Sequence, residues 1–366
     1  MERAPRRHRR APAAERILAL AVAALAVAAC ARSSGTAPAS PSTPAVPPVP
    51  DDPFFPAQWH LRMIGIPEAW QVTTGAGAVV AVLDTGVAYE DEGPYRRAPD
   101  LAGTRFVPGW DFIDDDSHPN DEAVSGRPGH GTHMAGTIAQ TTGNQLGGAG
   151  VAPGAAIMPI RVVRTGGEGA GAEEVAQGLR FAADHGAHVA NVSLASRVDA
   201  PEVAAAVRYA VDKGVTVVAP IGEDGGSDAT FPAAYPGVVA VGAVRMDRSR
   251  AAYSNFGPRL DLVAPGGDLS GDRDGDGLED GIVQQTVLDQ RDTFCFCFIE
   301  GTSSAAAHVS GTAALVVAAG RAVRPADVRA ALLDSAEDLG PPGRDDEFGA
   351  GLVSASRAVR PPGGRS

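Results

Sequence analysis

Between residues 78 and 335, short apolar runs alternate with stretches spaced as helices, and few folds accommodate that rhythm. Residues 78–83 are apolar without a break, the pattern of a strand buried on both faces of a parallel sheet. Residues 155–163, 188–194, 215–220, 238–244 and 260–264 read as further strands. Residues 130–140, 173–185, 202–213, 303–319 and 325–335 read as helices, with Val175, Leu179 and Ala182 on one face of the second. This order predicts an α/β, doubly wound, three-layer sandwich: a central parallel sheet with helices on both faces. With 366 residues, 44% of them apolar, the chain can bury one such domain. Residues 266–300 break the rhythm as a long acidic insertion.

The N-terminal residues read as targeting, not fold. Arg3, Arg6, Arg7, Arg9 and Arg10 precede an apolar run over residues 17–29, shorter than the ~20 residues of a bilayer span. That is the plan of a signal peptide, residues 1–29. It ends Val27-Ala28-Ala29-Cys30, which resembles a bacterial lipobox, where the cysteine is acylated and becomes the new N-terminus. Plain cleavage at an A-x-A site is the alternative. A lipid on Cys30 would tether an exported protein to the membrane of the cell envelope, each buried methylene adding ~0.8 kcal/mol. Cleavage there removes six arginines and two glutamates, taking the net charge from −13 to −17. Such acidity argues against nucleic acid as a partner and suits bound cations. Residues 30–51 form a Pro/Ser-rich tether, 52–360 the folded domain and 361–366 a tail, and a monomer is expected.

Three segments carry chemistry. Asp84 ends the first apolar strand, in Val82-Leu-Asp-Thr-Gly86. His130 opens a helix, in Gly129-His-Gly-Thr-His133. Ser303 opens the long helix, in Gly301-Thr-Ser-Ser304. A serine hydroxyl needs an adjacent base, a histidine takes and returns protons near neutral pH, and a buried carboxylate fixes the imidazole tautomer. Taken singly, Asp84 suits a turn, Ser303 a helix N-cap, and His130 with His133 a metal pair.

Together, and in the order Asp, His, Ser, these motifs resemble the subtilase family, a likeness that runs from about Asp52 to Val359. The resemblance implies a serine endopeptidase in which Asp84 orients His130, His130 is general base and acid, and Ser303 forms the acyl-enzyme. It implies that Ser193, Leu194 and Ala195 on one side, and the loop around Gly169 on the other, clamp an extended peptide or protein substrate. In thermitase-like subtilases one calcium ion is shared by residues matching Asp52, Asp100 and Asn144. A second family site matches Asp111, Asp114, Asp116 and Asn120. The stretch between Cys30 and Asp52 is too short for the inhibitory propeptide usual in the family.

The family pattern breaks at Glu223. There an asparagine side chain normally donates to the oxyanion. A carboxylate cannot donate and repels developing negative charge. Losing one such donor costs about 3–4 kcal/mol, as measured within this family. Relief would come from Glu223 protonated in an apolar pocket, or from a shifted loop offering another donor. Without relief the chain would be a pseudoprotease, binding peptides without efficient turnover. A general esterase is a third reading, disfavoured by the peptide-clamping edge.

In the insertion, Asp272, Asp274, Asp276 and Asp280 sit around a glycine turn and resemble part of an EF-hand-like calcium loop; a solvated acidic turn is the alternative. Cys295 and Cys297 fall on one face of a strand. A disulfide between such near neighbours would be strained, so two small buried hydrophobes are expected.

Overall fold

The computed structural model describes residues 49–123, 128–164, 169–288 and 293–361. The expected signal peptide, Cys30, the expected tether up to residue 48 and residues 362–366 lie outside them. Ten strands and eight α-helices run in the order α1 (Trp59–Met63), α2 (Ile66–Trp70), β1 (Val79–Asp84), β2 (Arg105–Phe106), β3 (Trp110–Asp111), α3 (His130–Ala139), β4 (Ala156–Arg161), α4 (Ala172–Asp184), β5 (Val189–Val192), α5 (Pro201–Asp212), β6 (Thr216–Pro220), β7 (Val239–Val244), β8 (Leu262–Pro265), β9 (Ile282–Val287), β10 (Phe294–Ile299), α6 (Thr302–Ala318), α7 (Pro325–Asp334) and α8 (Ala355–Ala358).

Eight strands form one parallel sheet in the order β2-β4-β1-β5-β6-β7-β8, with β3 also on β4. The strand order reverses at β1, so crossovers leave on both faces and helices cover both. Side-chain alternation along β1 divides the core: Val80 and Val82 join one cluster, Ala81 and Leu83 the other. The first cluster packs against α3 and α6, the second against α4 and α5. α6 is apolar nearly all round and buried from Thr302 to Val316 except at Ser303, as a helix through the core must be. Each fully buried aliphatic side chain there contributes about 1.5–3 kcal/mol, as an upper bound. Among the described residues no helix is long and apolar enough to cross a membrane.

The insertion is only partly a surface excursion. β9 and β10 form an antiparallel hairpin, and every residue of β9 is buried. Its polar side chains bond inward: Gln284 donates to Ala149 O (3.0 Å), leaving its buried Oε1 without a partner among the described residues, and Gln285 accepts from Asp100 N (2.7 Å). On β10, Cys295 and Cys297 are joined by a disulfide and are only half-buried, correcting the expectation of two buried free thiols. Both side chains leave the same face, and their Cα atoms stand 5.4 Å apart, within the range a disulfide spans.

Candidate active site

Asp84 sits at the carboxyl end of β1, and His130 is the first residue of α3. Gly131 lets them meet: a Cβ there would lie 2.9 Å from Asp84 Cβ and collide with Gly86 O. His130 Nδ1 stands 2.8 and 2.9 Å from the two carboxylate oxygens of Asp84. Asp84 is 1% exposed and the imidazole 36%, so the carboxylate is shielded while the ring keeps a face open. Burial opposes the imidazolium, but the charge and hydrogen bond of Asp84 outweigh it, helped by Asp121 and Glu223. The histidine is held at a pKa of about 9.

A second carboxylate braces this corner. Buried Asp121 accepts from Thr132 N (2.9 Å), Thr132 Oγ1 (2.6 Å) and Thr85 Oγ1 (2.7 Å), and Thr85 Oγ1 accepts from Gly131 N (2.9 Å). Burial pushes its pKa up. Asp121 lies between the motifs, where no pattern of residues marks it. Thr85 and Thr132 do flank Asp84 and His130, and their hydroxyls were the available sign. The hairpin also grips α3. Gly129 N donates to Val287 O (2.7 Å), and His133 Nε2 stands 3.1 Å from both Ile282 O and Cys297 O.

Below lies a row of buried imidazoles. His308 Nδ1 faces Ser304 O (2.7 Å), so its Nε2 accepts from His60 Nδ1 (2.7 Å). Burial lowers all three: His133 to about 3, His308 to about 4, and His60 well below its usual value. They are neutral packing groups, which leaves His130 as the exposed, titrating member of the His130–His133 pair.

Ser303 stands in the first turn of α6, which packs against α3. Its Oγ donates to Ser193 O (3.4 Å) rather than to His130. Ser193 is buried, and Asn191 Nδ2 donates to its Oγ (2.8 Å) while Ser310 Oγ donates to Asn191 Oδ1 (2.9 Å), pinning the end of β5 to α6. Leu194, Ala195 and Gly169 line a cavity of about 350 Å³ with Val163, Ala170 and Phe231.

Glu223 reaches the same helix start. Its Oε1 accepts from Thr302 N (2.5 Å) and Thr302 Oγ1 (2.9 Å). Gly301, at φ +154°, makes room: a Cβ there would stand 2.7 Å from that oxygen. The side chain is exposed, not enclosed in an apolar pocket. It is a hydrogen-bond acceptor at a positive helix end. In the same region Asn255 Nδ2 donates to Asp228 O (2.8 Å).

The expected cation ligands divide. Asp52 and Asp100 are buried and meet at Asn144: Asp52 accepts from Asn144 N (2.9 Å) and Asp100 from Asn144 Nδ2 (2.8 Å). Among the described residues neither has a basic partner, and burial pushes Asp100 up to about 7. Asp111, Asp114, Asp116 and Asn120 do not converge. Arg161 holds Asp111 (2.8 Å) and Asp114 (2.7 Å), Asp116 takes His118 N (2.8 Å), and Asn120 turns to Glu90. A guanidinium supplies the charge expected of calcium. Carboxylates of Asp272, Asp274 and Asp276 gather within 4.8 Å on an exposed turn. Asp280 leaves them, buried and paired with Arg273 (2.8 Å).

Comparison with known proteins agrees with this frame. The subtilase family profile matches residues 75–351. Thermitase of Thermoactinomyces vulgaris is 35% identical over 311 residues, 85% of this chain and 99% of that protein. Subtilisin BL of Lederbergia lenta is 36% identical over 306 residues, 82% of this chain and 98% of that protein. A solved protease structure from Pseudoalteromonas arctica superposes with a TM-score of 0.74 at 31% identity, covering 85% of this chain and 98% of that one. The chain belongs to the subtilase family and is a serine-type endopeptidase.

Proposed function

We propose that Ser303 is the nucleophile, His130 its base and Asp84 the residue that orients and charges His130. The observation that carries this reading is the Asp84–His130 pair, 2.8 Å apart at the carboxyl end of β1 beside the start of α6. His130 takes the Ser303 proton as Oγ bonds to the peptide carbonyl carbon. It then gives that proton to the departing amine, and water releases the acyl group by the same route. The Ser303 hydroxyl turned toward Ser193 is compatible with this, because such hydrogen bonds often tighten only once substrate is bound. Substrate backbone lies along Ser193–Ala195 and the Gly169 loop, with an apolar side chain in the cavity between them.

Glu223 favours a slow enzyme. The start of α6 offers backbone N–H groups to the developing oxyanion, and a carboxylate already occupies that end. The second reading, peptide binding without efficient turnover, rests on the same contact. Calcium at Asp52, Asp100 and Asn144 would neutralise two buried carboxylates that lack a basic partner. A lipid on Cys30 would keep the enzyme at the envelope. The test is casein and peptide hydrolysis by the soluble form starting at Ala31, with calcium present. Turnover lost in Ser303→Ala supports the peptidase; binding without turnover in both supports the second reading.

A further inference from the structure

We propose that Cys295–Cys297 is a thiol-exchange site: a dithiol reductant opens this disulfide, β10 lengthens, and α3 loses part of the grip that holds His130 in place. Among the described residues β10 pairs with β9 alone, and both cysteines are half-buried, so the bond lies on an edge strand. Phe296, on the opposite face of β10, packs on Phe54 with ring centroids 5.0 Å apart. The bond closes a loop of only three residues. A disulfide stabilises mainly by restricting the unfolded chain, and does so more for longer loops, so this one adds little to global stability. Its effect is local.

That effect is on length. Strand residues rise about 3.3 Å each, so Cα atoms two residues apart stand about 6.6 Å apart. Those of Cys295 and Cys297 stand 5.4 Å apart, so the bond keeps β10 drawn in by about 1 Å. The groups opposite and beside the cysteines are the ones that hold α3. His133 Nε2 stands 3.1 Å from Cys297 O, and Thr286, the register partner of Cys295, donates from Oγ1 to Gly129 O. Gly129 N donates in turn to Val287 O (2.7 Å), opposite Phe294. Gly129 precedes His130, and His133 lies one turn beyond it on α3. Moving Cys297 O by about 1 Å takes it out of hydrogen-bond range of His133, since such bonds extend to about 3.2 Å.

Opening is thiol–disulfide exchange. One thiolate of the reductant attacks a cysteine sulfur, forms a mixed disulfide and releases the other cysteine as a thiolate, which takes a proton. The second thiolate of the reductant then displaces the first cysteine, which is protonated likewise. Two electrons pass from the dithiol to the protein, leaving two cysteine thiols and an oxidised reductant. The reverse exchange closes the bond again.

The test uses the mature chain from Ala31, in which Cys295 and Cys297 are the only cysteines. Dithiothreitol is the reductant, and iodoacetamide with intact mass counts free thiols. The expected result is no adduct before reduction, two adducts after it under native conditions, and recovery with oxidised dithiothreitol. Hydrogen exchange is followed by mass spectrometry in the Ser303→Ala chain, which prevents self-cleavage. It should speed at least tenfold at Gly129–Met134 on reduction. The rate at which a fluorophosphonate labels Ser303 should fall at least threefold. Cys295→Ser/Cys297→Ser should match the reduced chain and ignore dithiothreitol. Only the labelling readout rests on Ser303 as nucleophile: labelling in neither form would sink that reading and leave exchange to decide this one. A bond that resists dithiothreitol until the chain unfolds, equal exchange or equal labelling in the two forms, or a double variant that still responds to the reductant would each overturn the proposal. If the double variant does not fold, loss and recovery of exchange protection in the chain with both cysteines decide it.

Discussion

The proposed active site has two corners built on opposite electrostatic plans. At the Asp84–His130 corner a buried carboxylate faces a group that becomes positive, and Asp121 and the β9–β10 hairpin brace the geometry. At the Glu223–Thr302 corner an exposed carboxylate faces the place where negative charge would develop. The first corner is complementary to the transition state of acyl transfer, and the second opposes it. Catalysis depends on differential stabilisation, so one well-made corner does not yield full activity. The same Glu223 charge also raises the His130 pKa, so the two corners are coupled.

Breaking the first corner has the largest expected effect. Ser303→Ala should lower kcat for peptide hydrolysis by about 10⁶-fold, or to background, in a steady-state assay. Asp84→Asn should cost about 10⁴-fold with the fold intact. Repairing the second corner comes next. Glu223→Asn should raise kcat by up to about 10²-fold, because it restores a donor and removes a repelling charge. An unchanged kcat at every pH would remove Glu223 from the oxyanion account.

The pH profile sharpens the coupling. The base works neutral and its folded pKa is about 9, so kcat/KM should rise about tenfold per pH unit below 9 and level off above it. Glu223→Asn should move that limb to lower pH, since one cause of the raised pKa is gone. A limb that stays in place would separate the corners.

The smallest expected effect falls outside both corners. His133 and His308 have folded pKa values of about 3 and about 4, below the unfolded value near 6.5. Between those values the unfolded state binds more protons, so their contribution to stability is full above about pH 6.5 and falls on acidification. Each such group contributes about 1.4 kcal/mol per pH unit, and the raised carboxyl of Asp100 opposes it over the same range. Thermal melts from pH 6 to pH 4 compare Ser303→Ala with Ser303→Ala/Asp100→Asn: the Tm should fall more steeply in the second, and equal slopes would contradict the balance.

Much of the fold was legible because its strands are unbroken apolar runs and its helices keep one apolar face. β1 carries Val80 and Val82 to one side and Ala81 and Leu83 to the other, as a parallel sheet requires. β9 was not legible: Gln284, Gln285 and Thr286 are buried polar residues that hydrogen-bond to groups only the fold brings near. Asp84 and His130 could be read from motifs. Asp121 could not, since it acts through contacts with two of them. Asp111 and Asp114 looked like calcium ligands because sequence does not reveal that Arg161 crosses from the neighbouring strand. Cys295 and Cys297 were placed on one face, but their closure depends on how far the strand draws in.

The central claim is that the Asp84–His130 pair activates Ser303. A fluorophosphonate probe applied to the mature chain at pH 9, read by intact mass and peptide mapping, tests it directly. The account predicts a single adduct on Ser303 that disappears in His130→Ala. No adduct on Ser303, or equal labelling in His130→Ala, would contradict it.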